Sequence, residues 1–322
     1  MKEVGVLLSK QYKLLSIAAI LEVLETVNKL HANDGEAVPF HITLLTPDEN
    51  AVGESIFPGY NSEYVLASSK KDLILIPAFT TDNVQHAIQE NLPCISWLVQ
   101  QFRQGAEIAT VCTGAFLLGA TGLLNGKIAT THVDASKAFA QAFPEVKLKD
   151  DKTVTQDGGL YTSGGATSSF HLLLHLIQKY CSKEMAIRTA KIFAIDMDRH
   201  QQTYFSTFQP LKNHNDELVA SAQEKIERSF QESATIEEMI RDIPASRRNM
   251  VRRFKQVTGI TPIEYLQMTR IEAAKKLLLQ TGQQMTEIIF NTGYNDPKAF
   301  RKIFRKNVGM TPTEYREKFQ VI

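Results

Sequence analysis

The chain has 322 residues, 43% of them hydrophobic and 22% charged, with 36 Lys+Arg against 35 Asp+Glu for a net charge of +1. That length exceeds what one hydrophobic core usually holds, about 250–300 residues, and predicts two domains. Three cysteines without CxxC spacing exclude a disulfide framework and a cysteine-based structural zinc site, and no apolar run has the length that spans a bilayer. With no cleavage signal in MKEVGVLLSK, a cytoplasmic protein is expected.

Val4 to Leu8 (VGVLL) is a continuous apolar run, the pattern of a parallel strand buried on both faces. Leu14 to Leu30 repeats its apolar residues at helical spacing through Ile17, Leu21, Leu24 and Val27. Further strands are predicted at His41 to Thr46, Leu73 to Ile76 and Glu107 to Val111, with helices at Thr81 to Glu90 and Ile95 to Arg103 between them. This alternation predicts a parallel sheet covered by helices on both faces.

After the strand ending at Val111 come Cys112, Thr113, Gly114 and an apolar helix. A sharp strand-to-helix turn sets its residues at the sheet's carboxyl edge, where open α/β folds bind ligands. The helix N-terminus there favours a thiolate. A small buried cysteine that only packs fits the same pattern, and spacing alone leaves both readings open. Lys127 to Thr131 reads as another strand that brings His132 to the same rim, although a histidine so placed is commonly a structural hydrogen-bonder. A hairpin follows (Thr153 to Gln156, turn Asp157-Gly158-Gly159, Leu160 to Thr162), then the tight turn Ser163-Gly164-Gly165-Ala166. In the helix Ser168 to Tyr180, His171 and His175 stand at i+4, but no third ligand is evident and no metal site is expected. A helix from Lys183 to about Asp198 precedes the polar stretch Arg199 to Asn215, read as the interdomain linker.

The last third contains a repeat. SRRNMVRRFKQVTGITPIEY at Ser246 to Tyr265 returns as DPKAFRKIFRKNVGMTPTEY at Asp296 to Tyr315, fifty positions on. Each copy opens on a capping residue and closes on Gly259 or Gly309, with Pro262 or Pro312 starting the next helix. The buried stripes are predicted at Met250, Phe254 and Val257, and at Phe300, Phe304 and Val308. The other faces carry Arg248, Val251, Arg252 and Lys255, and Lys298, Arg301, Lys302 and Arg305. From Asp216 onward 18 Lys+Arg face 14 Asp+Glu, a net +4 that leaves −3 for the rest. Like charges stacked at i+4 destabilise a helix unless a polyanion neutralises them, so two helices presented to DNA are expected. Short helices at Thr235 to Arg241 and Thr286 to Phe290 precede the basic ones at helix–turn–helix spacing, and Arg270 to Leu279 joins the two modules.

These last motifs resemble the AraC/XylS-type DNA-binding domain over residues 216–322. The resemblance implies two recognition helices in successive major-groove segments of duplex DNA. Arg248, Asn249, Val251 and Arg252, then Lys298, Arg301 and Lys302, would face base edges. Arg253, Lys255, Arg305 and Lys306 would meet phosphates, and Arg247 and Pro297, at the helix starts, are also expected to contact DNA. Residues 1–200 are similar to the ThiJ/PfpI group, the class I glutamine amidotransferase-like fold, through VCTGAFLLGATGLLNGKIATTH, YTSGGATSSFHLLLHLI and AIRTAKIFAIDMDRHQQTYF. The fold implied is a flavodoxin-like α/β sandwich followed by an all-α domain, with residues 201–215 between them.

Together the two parts resemble GlxA-like transcriptional regulators. That implies a small-molecule effector pocket around Cys112, Thr113, Gly114 and His132, reaching Ser16, Phe79 and Gly165, in a homodimer joined through the first domain, with no cofactor. Enzymes of the superfamily carry an acid on the first helix facing the thiol. Here Ser16 stands at the matching place, and Ala78-Phe79 replaces the usual glycine after the third strand. A sensor is therefore expected, with a cysteine-dependent hydrolase or lyase as the alternative. An RNA-binding protein would need surface aromatics for stacking, and the single Trp97 sits among apolar residues.

Overall fold

The computed structural model describes residues 1–54, 57, 59–80, 83–165, 167–208, 210–212, 214–232 and 234–320. They form two units, Met1–Gln202 and Thr203–Ile322. Of the sequence expectations, the start of the Thr81 helix, Ala166 in the glycine turn, and Gln209 and Asn213 in the 201–215 segment lie outside the described residues.

In the first unit the strands are β1 (Lys2–Leu7), β2 (Phe40–Thr46), β3 (Gly53–Glu54), β4 (Asn61–Tyr64), β5 (Leu73–Ile76), β6 (Glu107–Val111), β7 (Ile128–Ala129), β8 (Lys147–Leu148), β9 (Val154–Asp157) and β10 (Leu160–Ser163). Eight of them make one sheet in the order β3-β4-β2-β1-β5-β6-β10-β9, parallel from β4 to β10 with an antiparallel strand at each edge. The helices are α1 (Leu14–Asn33), α2 (Val84–Glu90), α3 (Leu92–Arg103), α4 (Ala115–Ala120), α5 (Ser136–Ala142), α6 (Ser168–Tyr180) and α7 (Lys183–Ile192).

Strand alternation divides the apolar residues between two cores. Val4, Val6, Leu73 and Leu75 join one, with Ile17, Ile20 and Leu24 of α1, Leu172 and Leu173 of α6 and Met185 of α7. Leu7, Ile74, Ile76 and Ile108 join the other, with Trp97 and Leu98 of α3, Phe116 of α4 and Phe139 of α5. Each such side chain contributes about 1.5–3 kcal/mol on burial, so this pattern is what holds the sandwich closed. Because both faces are covered, the strands read as unbroken apolar runs, and the predicted parallel sheet is what forms.

Three details differ from expectation. The stretch from Lys127 to Thr131 gives only the two-residue β7, paired in parallel with β8 outside the main sheet. The polar strand β4 (NSEY), between β2 and β3, was not predicted, because no apolar run marks it. The helix from Lys183 stops at Ile192 rather than near Asp198, since Ala194 takes a left-handed φ of 51°. The hairpin turn is as predicted: Gly158 and Gly159 have φ of 58° and 82°, a conformation glycine adopts without steric cost.

The second unit is helical: α8 (Glu217–Ser229), α9 (Ile236–Met239), α10 (Arg247–Thr258), α11 (Pro262–Gln280), α12 (Met285–Asn291), α13 (Pro297–Val308) and α14 (Pro312–Phe319). Val219, Ile226, Met250, Phe254 and Tyr265 form one small core, and Ile271, Leu278, Ile288, Phe300, Phe304 and Tyr315 form another. The 19-residue α11, roughly 28 Å at 1.5 Å per residue, contributes to both and serves as the rigid spacer. The segment read as a linker packs on this unit from Thr203 onward. Tyr204 is buried with Tyr315 and Phe319, Phe208 lies 5.2 Å from the Tyr265 ring, and Lys275 donates to the Ser206 carbonyl at 2.7 Å.

Candidate functional site

The repeat in sequence is a repeat in burial. From Arg247 to Thr258 and from Pro297 to Val308 the order of exposed, half-buried and buried residues is identical, position for position. Met250, Phe254 and Thr258 are the buried set in α10, and Phe300, Phe304 and Val308 in α13. Thr258 therefore replaces the predicted Val257, its hydroxyl donating to the Phe254 carbonyl at 2.7 Å. Ser246 and Asp296 cap the two helices, Gly259 and Gly309 end them at φ of 76° and 84°, and Thr261–Glu264 and Thr311–Glu314 form capping boxes on the helices that follow. Tyr265 stands edge-on to Phe254 at 5.3 Å, as Tyr315 does to Phe304 at 5.8 Å.

This phase leaves Arg247, Arg248, Val251, Arg252 and Lys255 exposed on α10, and Pro297, Lys298, Arg301, Lys302, Arg305 and Lys306 exposed on α13. Among the described residues none of the five α13 cations forms an ion pair. Glu264 shows how the helices are related. Thr261 hydrogen bonds hold its carboxyl below the ordinary range, and the charges of Lys255 and Lys306 lower it further. One cation from each basic helix thus acts on the same carboxylate.

Three predicted contact residues have partners inside the protein. Arg247 pairs with Glu237 at 2.9 Å. Asn249 is half-buried and its Oδ1 accepts from Arg252 Nη2 at 3.2 Å, which holds that guanidinium over the exposed face. Arg253 turns away from that face to pair with Asp216 at 2.9 Å, because its helical phase is the half-buried flank where α13 has Ile303.

In the first unit, Cys112 has a φ of 55°, a strained value for a non-glycine residue, and is 2% exposed. The strain persists because the elbow is held from several sides. Thr113 Oγ1 donates to the Phe79 carbonyl at 2.7 Å and accepts from the Phe79 N–H at 2.9 Å. Thr131 Oγ1 donates to the Cys112 carbonyl at 3.0 Å. A Cβ on Gly114 would lie 2.6 Å from the Pro77 carbonyl oxygen, so no other residue fits there. Thr113, Gly114 and the fully buried Phe79 therefore hold the elbow in shape. Ser16, at the place of the superfamily's acid, accepts from the Ala78 N–H at 3.0 Å.

His132 follows Thr131 and lies against Gly165: a Cβ added there would be 3.4 Å from the ring. Its Nδ1 accepts from the Asp134 N–H at 3.2 Å. Burial lowers its pKa, with Asp134 opposing and Lys13 reinforcing that shift. Burial also raises the Cys112 pKa, against the Thr113 N–H and the Lys13 charge. The helix-end argument for a thiolate is thus outweighed by desolvation. Cys112, His132 and Lys13 share one neighbourhood, although the strand before His132 is not part of the main sheet.

The sequence model of the DJ-1/PfpI family matches residues 21–179, and that of a helix-turn-helix domain matches residues 240–318. The HTH-type transcriptional regulator GbdR of Pseudomonas aeruginosa is 26% identical over 98% of this chain and 84% of its own. The HTH-type transcriptional regulator GlxA of Rhizobium meliloti is 26% identical over 67% of each chain. The chain is a transcription regulator that joins a DJ-1/PfpI domain to an AraC-type helix-turn-helix domain. A solved transcriptional regulator protein from Vibrio parahaemolyticus shares the fold over 59% of the regulator and 98% of its own chain, with a TM-score of 0.51 and 22% identity.

Two residues of the regulator's elbow escaped the sequence reading. Lys13 acts on both Cys112 and His132 through charge alone, and an exposed lysine before a helix carries no pattern. Gln202 is 1% exposed; it donates to the Thr131 and Asp150 carbonyls and accepts from the Gly165 N–H at 3.1 Å. It lay in the presumed linker, although RHQQTYF was among the motifs that carried the family resemblance.

Proposed function

We propose that this regulator reads specific duplex DNA with α10 and α13 in successive major-groove segments, under the control of a small metabolite held by the first unit near Cys112. The observation that carries the DNA part is the identical burial pattern of two helices fifty residues apart, which turns nine exposed cations outward. Among them Arg252, steadied by Asn249, suits guanine O6 and N7, and the exposed Val251 suits a thymine methyl. Lys255, Arg305 and Lys306 suit phosphates. The metabolite site would centre on Cys112, His132 and the Gly165 turn, with Ser16 at its edge, and the cytoplasmic regulator would act as a homodimer through residues 1–200. No helix among the described residues is long and apolar enough to cross a membrane.

A mobility shift with the regulator's own promoter fragment, across a salt series, tests the DNA reading. The double variant Arg252→Ala with Lys302→Ala should lose its specific affinity for the fragment, each base-reading contact being worth about 1–3 kcal/mol of discrimination, while the phosphate-facing cations keep the residual binding salt-dependent. Unchanged binding in that variant would refute it.

A second reading, an enzyme using Cys112, draws on the strained elbow. The raised thiol pKa and the serine in place of the acid weigh against it. It requires a turnover that disappears in Cys112→Ser; a metabolite that binds and is recovered unchanged supports the sensor.

A further inference from the structure

A cleft of about 410 Å³ opens in the first unit between the start of β9, the exposed flank of α6 and residues 197–200. None of its lining residues belongs to the elbow. Among the described residues, two permanent cations, Lys152 and Arg199, and three imidazoles, His171, His175 and His200, line it, and no carboxylate does. Hydroxyls of Thr167 and Ser168, at 2.5 and 3.3 Å, hold the Arg199 guanidinium in place. Lys152 has Asp151 beside it at 3.7 Å, both side chains being largely in water. Thr153 forms part of the wall; it is 2% exposed and its hydroxyl has no hydrogen-bond partner. Val154, Leu174 and Met197 add an aliphatic part, and Gln178 completes the lining.

The histidines do not make this a metal centre. His171 Nε2 meets the Asp196 carbonyl at 2.9 Å, and His175 Nε2 meets Gln156 Oε1 at 2.9 Å. Among the described residues no group of three His, Cys, Asp or Glu is placed to hold an ion. The mix of cationic and aliphatic residues in the lining is that of a small-molecule site, and its volume of about 410 Å³ falls within the usual range of roughly 300–1,000 Å³.

We propose that this cleft binds a small organic acid, its carboxylate against Arg199 and Lys152 and its short aliphatic body on Leu174 and Met197. A charge-assisted contact to a fixed guanidinium supplies orientation. The site is additional to the metabolite site near Cys112.

Calorimetric titration of the full chain with butyrate, succinate and inorganic phosphate, at constant ionic strength, tests it. Butyrate or succinate should bind, phosphate about tenfold more weakly for want of an aliphatic body, and Arg199→Gln should weaken the acid about tenfold. Because Arg199 also steadies the start of α6, Met197→Trp is the second variant. It fills the cleft from a residue 37% exposed, and should abolish acid binding with the unliganded melting midpoint unchanged. No binding of either acid, phosphate as tight as the acids, or full affinity in Met197→Trp would overturn the proposal. A parallel mobility shift separates the two readings: acid binding without DNA binding sinks only the proposed function, and the reverse sinks only this site.

Discussion

Arg253 of α10 clasps Asp216, its Nε and Nη2 each 2.9 Å from the same carboxylate oxygen. Asp216 also caps α8, accepting from the Val219 N–H at 3.1 Å, so one carboxylate fixes the start of one helix and the flank of the next. At the corresponding place in α13 stands Ile303, packed against the second small core. The two modules share a shape but not the chemistry that sets it.

Arg253→Ala should therefore destabilise the helical unit while leaving the salt dependence of DNA binding nearly as it is. Asp216→Ala, which loses a cap as well as a pair, should cost about 1–2 kcal/mol, read as a shift in the urea midpoint of far-UV circular dichroism. Arg253 chiefly, and then the Val219 N–H, hold the Asp216 pKa below its ordinary value. A carboxyl lowered on folding stabilises above its unfolded pKa of about 3.9 and loses that contribution as pH falls through the folded value. The stability gap between wild type and Asp216→Asn should hold from neutral pH to about 5 and close below about 4.

Gly114→Ala should prevent the elbow from closing. Its Cβ would press on the carbonyl oxygens of Ile76 and Pro77, at 2.7 and 2.6 Å, and backbone yields poorly. A loss of about 1–3 kcal/mol or more in thermal stability is expected, confined to the first unit's transition. A wild-type melting curve would show the elbow to be slack.

The three thiols should alkylate slowly at neutral pH. Burial pushes Cys94 up to about 12 and Cys181 up to about 11, and raises Cys112 above its usual value. An ordinary thiol near 8.5 is about 3% thiolate at pH 7, and each of these should react more slowly than that. Mass-spectrometric iodoacetamide labelling across pH 7–10 should show rates rising about tenfold per unit. Lys13→Gln should slow Cys112 further, since the lysine charge favours its thiolate.

Arg305→Ala and Lys306→Ala should weaken binding to every duplex alike. Each should reduce the log–log salt slope by about 0.9, the value for one phosphate contact. Arg252→Ala should instead change which sequences are selected from a random pool. An effect of Arg305→Ala on sequence choice would move that residue to the base edges.

Leu73–Ile76 and Glu107–Val111 were legible as strands to the residue, because a strand covered on both faces needs an unbroken apolar run. Asn61–Tyr64 was not, since this polar strand is held by backbone hydrogen bonds to β2 and β3 that leave no mark in side-chain pattern. The elbow could be located from VCTG, but not the state of its thiol: Cys112 is buried in the core that α1, α6 and the sheet build from segments far apart in the chain. The Arg199 cleft was invisible, because its histidines, lysine and arginine converge from segments up to 48 residues apart.

By itself the sequence determined the twin basic helices, their caps and their terminating glycines, since helical phase is a local property repeated every 3.6 residues. Only the tertiary structure decided which cations face outward, which one is claimed by Asp216, and in which direction the Cys112 pKa moves. Those outcomes turn on partners tens of residues away and on the exclusion of water, neither of which short-range pattern encodes.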